Sequence, residues 1–169
     1  MKLHRTALFI GCAWLGAFAT LSHAQDAADV VMVEVDVYSG RPNPVVELSA
    51  EELADLMRMA RPLCERLQAA SDDNQEARLG YRGLSIGRGK RGSSAQQMVR
   101  ITGKRARLRR SAAPVLCHES MARAAGSADL TFADDNRALE KALLQLARQK
   151  GAISESLHGV ILQAMESGG

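Results

Sequence analysis

The sequence predicts a small α+β domain, in which an antiparallel sheet of about four or five strands packs against two or three helices and one disulfide staples the fold. Three observations carry that prediction. Val31, Val33, Val35 and Val37 alternate with Met32, Glu34, Asp36 and Tyr38, the period of two expected of a strand with one buried face. Three later stretches repeat their apolar residues at helical spacing instead. Two cysteines, Cys64 and Cys117, remain once the N-terminal segment is set aside.

That segment reads as a cleavable bacterial-type signal peptide over residues 1–24. Lys2, His4 and Arg5 give a positive start, Thr6 to Leu21 is uncharged and mostly apolar, and Ser22-His23-Ala24 places small residues where a signal peptidase cuts. An uncleaved anchor would need roughly 20 apolar residues, and the run has sixteen. A lipoprotein site at Cys12 is disfavoured because the apolar run continues past it to Leu21. Cleavage would leave a single domain over residues 25–169, with no transmembrane segment, in the periplasm or secreted. It removes Lys2 and Arg5 and no acid, so the formal charge falls from +3 to +1. Trp14, Phe9 and Phe18 leave as well, and Tyr38, Tyr81 and Phe132 are then the only aromatic residues.

Two lone thiols in an oxidising compartment are most simply a disulfide between Cys64 and Cys117. Closing a loop of about 50 residues would stabilise the fold by roughly 4 kcal/mol in the chain-entropy model.

Along the mature chain, the valine strand runs into Ser39-Gly40-Arg41-Pro42-Asn43-Pro44, where two prolines fix φ and withhold N–H donors. Val45 to Leu48 returns as a short strand. Ser49 and Glu52 form a capping box, and Leu53, Leu56, Met57, Ala60, Leu63, Cys64 and Leu67 then recur on one helical stripe, with Pro62 expected to kink or divide the helix. From Arg78 to Arg110 there are eleven basic residues and no acidic one. Strands are expected at Gly80 to Arg88, at Gln97 to Thr102, and from Arg105 to Arg109, where Arg105, Arg107 and Arg109 alternate with Ala106 and Leu108. Ser111 to Ala128 reads as irregular. A second helix is expected from Asp134 or Asp135, burying Leu139, Leu143 and Leu146 and stopping at Lys150-Gly151. A third, capped by Ser154, sets Leu157, Ile161 and Met165 on one side.

Motifs for chemistry are scarce. Gly87 to Gly92 has the GxGxxG spacing, but no helix opens after it and no acid follows about twenty residues on, so it reads as a hairpin loop. His118-Glu119 lacks the second histidine of a zinc helix, and His158 stands alone, so both histidines read as surface or capping residues and no metal or cofactor is expected. Nor does a nucleophile elbow occur, and no catalytic residue is assigned.

Two features suggest recognition. The loop Gly40, Arg41, Pro42, Asn43 and Pro44 is stiffened by its prolines, which lowers the entropy lost on holding a partner. A basic sheet face formed by Arg82, Arg100, Arg105, Arg107 and Arg109 suits an acidic protein or an anionic envelope polymer, unless Glu34, Asp36 and Asp55 neutralise it. Nucleic acid is disfavoured, because single-strand binders add stacking rings and this stretch has only Tyr81. The segment VEVDVYSGRPNPVVEL resembles one found in uncharacterised exported bacterial proteins; the resemblance implies no activity, only that the hexapeptide is a group feature. The reading expected is a non-enzymatic binding domain of inhibitor or immunity type. The alternatives are a small envelope hydrolase or transferase with a scattered site, and a structural or chaperone-like envelope component.

Overall fold

The computed structural model describes residues 29–38, 40–70, 80–91, 96–109, 113–117 and 129–167. The expected signal peptide, His118, and the Gly92 end of the glycine-rich loop lie outside them.

Seven strands form one antiparallel sheet. In chain order the elements are β1 (Val30–Val35), β2 (Val45–Glu47), α1 (Ala50–Cys64), β3 (Gln68–Ala69), β4 (Leu84–Gly89), β5 (Gln96–Thr102), β6 (Arg105–Leu108), the single turn α2 (Ala113–Leu116), β7 (Leu130–Ala133), α3 (Ala138–Gln149) and α4 (Glu155–Ser167). Across the sheet the strands run β2-β1-β4-β5-β6-β7-β3, every neighbouring pair antiparallel. The five strands expected from the sequence are present. The sequence did not mark the other two: β3 is two exposed residues with no alternation to read, and β7 is four residues beyond the stretch taken as irregular.

Register explains the burial. Val33, Ile86, Val99, Leu108 and Leu130 stand in one row across five strands, and Val35, Leu84, Ile101, Ala106 and Phe132 in the next. All ten are buried and belong to one apolar cluster with Leu56, Ala60, Leu139, Leu143, Leu144, Ala147, Ile161 and Met165 from the helices. Fully burying one such side chain stabilises by about 1.5–3 kcal/mol, so this cluster orients the sheet. Period two then sends Glu34, Ser85, Arg100, Arg107 and Thr131, a row of their own, to the opposite face.

Several local expectations shift. The segment before β4 is strand only from Leu84, because Gly80 and Gly83 take φ values of +92° and +113°, outside the strand region. Pro62 does not divide α1; it falls in the last turn, and the helix runs on to Cys64. Helix α3 begins three residues later than Asp135, at Ala138, with Arg137 at the N-cap and no side-chain hydrogen bond from it; upstream, the Asp134 Oδ2 atom accepts from the Leu139 N–H at 2.8 Å. Arg137, before the first turn, sits at φ +53°. In α3, Leu144 and Ala147 take the burial expected of Leu146, which is half-buried, as is Leu157 in α4. His158, expected at the surface, is buried at 8% exposure, carried there by the α4 face it shares with Ile161 and Met165.

The capping box is present, with Glu52 N–H donating to Ser49 Oγ at 3.1 Å and Ser49 N–H to Glu52 Oε2 at 2.6 Å. Ser154 likewise accepts from Leu157 N–H at 3.2 Å. Cys64 and Cys117 are joined, with Cα atoms 5.7 Å apart and both residues buried. The bond ties the end of α1 to the turn α2 that follows the sheet's basic strands.

Candidate functional site on the polar sheet face

The loop and the arginines, read as separate features of the sequence, meet at Asp36. This residue lies just past β1, on the face turned away from the helices. Arg82 reaches its Oδ1 with Nε at 3.0 Å and Nη2 at 2.5 Å, and Arg100 reaches Oδ2 with Nη2 at 2.7 Å. The Asp36 side chain is 14% exposed. Burial alone would push its carboxyl up, but hydrogen bonds and charge from Arg100 and Arg82 outweigh burial and hold it below the usual aspartate value.

Both guanidinium groups do more than neutralise. Arg82 Nη2 donates to the Tyr38 carbonyl at 2.7 Å. Arg100 donates to the Arg82 carbonyl at 2.9 Å and to Ser85 Oγ at 3.2 Å, where Gln97 also donates at 3.1 Å. Planar forks with several donors suit this many-sided bracing.

Asn43 joins the loop to that network. Its Oδ1 accepts from the Val37 and Tyr38 N–H groups at 3.1 and 2.9 Å, while its Nδ2 donates to Glu34 at 2.8 Å and to Asp36 at 3.3 Å. One short amide therefore closes a turn of six residues and pins it to the sheet. Both flanking prolines lack an N–H and cannot compete for these acceptors. At the tip, Arg41 is exposed and its guanidinium carbon lies 3.5 Å from the centre of the Tyr38 ring, a cation–π contact that restricts where the charge sits.

The five arginines thus divide. Arg82 and Arg100 are half-buried and committed to Asp36, whereas Arg105, Arg107 and Arg109 are exposed. Arg107 stands 3.4 Å from Asp129. Among the described residues Arg109 has no ion-pair partner, and its N–H continues the ladder to Met98. Asp55 takes no part in neutralising the face; it pairs with Arg58 one turn along α1 at 2.8 Å.

Sequence reasoning passed over a second polar cluster, on the helix side. Glu140, in the first turn of α3, has a side chain only 1% exposed. Tyr81 donates to its Oε1 at 2.8 Å, the Gly103 N–H approaches at 3.4 Å, and Arg137 Nε stands 4.0 Å from Oε2. Burial pushes the Glu140 carboxyl up; Tyr81, Arg137 and Gly103 draw it back without cancelling that, and Asp134 adds to the rise. Burial and then Glu140 itself push the Tyr81 hydroxyl up too. A groove of about 330 Å³ opens nearby, lined by Lys104, Asp135, Asn136, Arg137, Lys141, Leu162, Met165 and Glu166. Within it Arg137 is already used, donating to the Met165 carbonyl at 2.7 Å. Among the described residues no group of three or more histidine, cysteine or acidic side chains is placed to hold a metal, and no helix is long and apolar enough to cross a membrane.

Set against family models, curated proteins and solved structures, the chain matches none. What the site does must therefore be argued from its own chemistry.

Two outcomes follow from that chemistry. Replacing Asn43 with alanine leaves two N–H groups without their acceptor and is expected to cost about 2 kcal/mol, read as a lower urea midpoint. Asp36 gives a pH signature. Its folded-state value lies below the usual 3.8, so its stabilisation is present above 3.8 and is lost as pH falls through the folded value. D36N is then expected to be less stable than wild type near neutrality, with the gap closing in acid. Glu140 works in the opposite sense, losing stability as pH rises from 4.5 through its raised folded value. The difference between wild type and D36N, rather than either curve alone, isolates Asp36.

Proposed function

We propose that the mature chain is an exported, non-enzymatic binding domain of inhibitor or immunity type, which presents the Gly40–Pro44 loop to an acidic surface on a protein partner. The observation that carries this reading is the Arg41 charge, laid on the Tyr38 ring at the tip of a loop that Asn43 holds by four hydrogen bonds. A loop ordered in advance loses little entropy when captured, so more of its contact energy is kept as affinity. Exposed Arg105, Arg107 and Arg109 extend the same polar face and favour an acidic partner through steering. Arginine also suits the role because its fork can bind a carboxylate at two points.

The test is retention. Immobilised mature protein is expected to hold one periplasmic protein at moderate salt, and Arg41→Glu is expected to release it with the thermal midpoint unchanged. Capture of an anionic glycan or lipid in place of a protein would overturn the protein-partner reading in favour of a polymer. If nothing is retained, and charge reversal at Arg41 or at Arg105, Arg107 and Arg109 together changes nothing, the reading fails.

A further inference from the structure

We propose that Tyr81 and Glu140, on the helix side of the sheet, are positioning residues for the Gly40–Pro44 loop on the other side, acting through the segment Gly80–Gly83. Tyr81 and Arg82 are adjacent in this segment and are anchored in opposite directions. The Tyr81 hydroxyl donates to buried Glu140 at 2.8 Å. Arg82 grips Asp36 and the Tyr38 carbonyl, the two points from which the loop hangs. The backbone between them is fixed as well, since Arg82 N–H donates to the Asp36 carbonyl at 2.8 Å, Asp36 N–H to the Gly83 carbonyl at 3.0 Å, and Arg100 holds the Arg82 carbonyl. Successive side chains of an extended chain leave on opposite faces, so moving one end of this strap moves the other.

Glu140 has no evident purpose as a source of stability. Among the described residues its Oε2 has no hydrogen-bond partner, and an apolar side chain of similar size would be easier to bury. What the carboxyl does provide is a fixed acceptor for Tyr81, on a helix whose first turn is itself held by Asp134 through the Leu139 N–H. The positive φ of Gly80 and Gly83 puts bends at both ends of the strap, so its placement depends on side-chain anchors and not on a continuous ladder alone. The consequence for binding rests on the reading of the loop given above; the placement of the loop does not.

Amide hydrogen exchange on the mature protein without a partner tests the placement. Val37 and Tyr38 are the reporters, because both donate to Asn43, and Val99 and Ile101 in β5 serve as the reference. Tyr81→Phe removes one oxygen and keeps the ring; with Glu140→Leu it is expected to raise exchange at Val37 and Tyr38 roughly tenfold, leaving β5 unchanged. Glu140→Gln keeps an acceptor for Tyr81 and is expected to retain the protection. Unchanged reporters, or an equal rise in β5, would overturn the proposal, and Tyr81→Phe decides it alone if Glu140→Leu does not fold. Loosened reporters together with undiminished retention of the partner would support the positioning role and sink the binding role of the loop, so the two readings fail separately.

Discussion

Replacing Cys64 and Cys117 together with alanine is expected to lower the stability of the domain by roughly 3–4 kcal/mol. The bond closes a separation of 53 residues, and a loop of that length is worth about 4 kcal/mol of unfolded-state entropy, with native strain usually subtracting from it. All of β3, β4, β5 and β6 lies between the two cysteines, so the cross-link limits the freedom of the chain segment that must find the longest-range pairings. Both residues are buried at 1–2% exposure within the apolar cluster, and losing their sulfurs adds a small packing penalty. Urea unfolding of wild type with and without reductant measures the effect, and intact mass gives the state of the bond: unreduced protein is expected to be two hydrogens lighter than reduced protein. Equal midpoints for the oxidised and reduced forms would contradict the assignment of a stabilising role.

Gly83→Ala is the other large effect, expected to cost on the order of 3 kcal/mol or more. A Cβ at this position would lie 2.2 Å from the Ile101 carbonyl oxygen and 3.0 Å from Thr102 Oγ1, and the residue's φ is +113°. The contact is with backbone in the middle of the sheet, so relief requires the strap before β4 and strand β5 to separate. Asp36 donates its N–H to Gly83, and that separation would carry the Asp36 cluster with it. Gly80→Ala supplies the comparison. It shares a positive φ of +92° but has nothing among the described residues within 4 Å of the added carbon, so only the backbone penalty of about 1–2 kcal/mol is expected. Similar urea midpoints for the two variants would show that crowding at Gly83 is relieved cheaply.

The elements the sequence revealed are those whose cause is local. Alternating valines exposed β1, because a two-sided environment imposes a period of two on whatever lies in it. Ser49 and Glu52 marked the start of α1 through a hydrogen-bonding pattern complete within four residues, and Ser154 did the same for α4. The loop at Gly40–Pro44 was legible as a shaped turn, since proline restricts its own φ wherever it stands. The expected length of strand before Leu84 was too great because glycine permits positive φ without announcing it, and only the approach to Ile101 forces it at Gly83. Strand β3 has no pattern to detect; it exists because β7 offers an unpaired edge beside it.

The polar face shows the same division more sharply. Eleven basic residues in one acid-free stretch suggested a cationic surface, yet Arg82 and Arg100 are spent on an aspartate 46 and 64 positions away. No spacing rule connects such residues. Asn43 read as a turn former, and its amide proves to be the link between that turn and the sheet. Glu140 gave no signal at all, because a glutamate in the first turn of a helix ordinarily faces water and interacts with the helix dipole. Only the packing of α3 against the strap turns it inward to Tyr81.

The amino-acid sequence by itself determined the α+β class, the disulfide partners, the helix starts at Ser49 and Ser154, and the presence of a proline-braced loop and an arginine-rich stretch. Each depends on side-chain chemistry acting over a few residues, or, for Cys64 and Cys117, on the pairing expected of two thiols in one small domain. The tertiary structure alone decided which arginines stay exposed, that Asp36 and Asn43 fasten the loop to the sheet, and that Tyr81 donates to a buried Glu140 on the helix side. Those outcomes follow from strand order and register, which bring residues dozens of positions apart to within 3 Å of each other and are set by burial of the whole core.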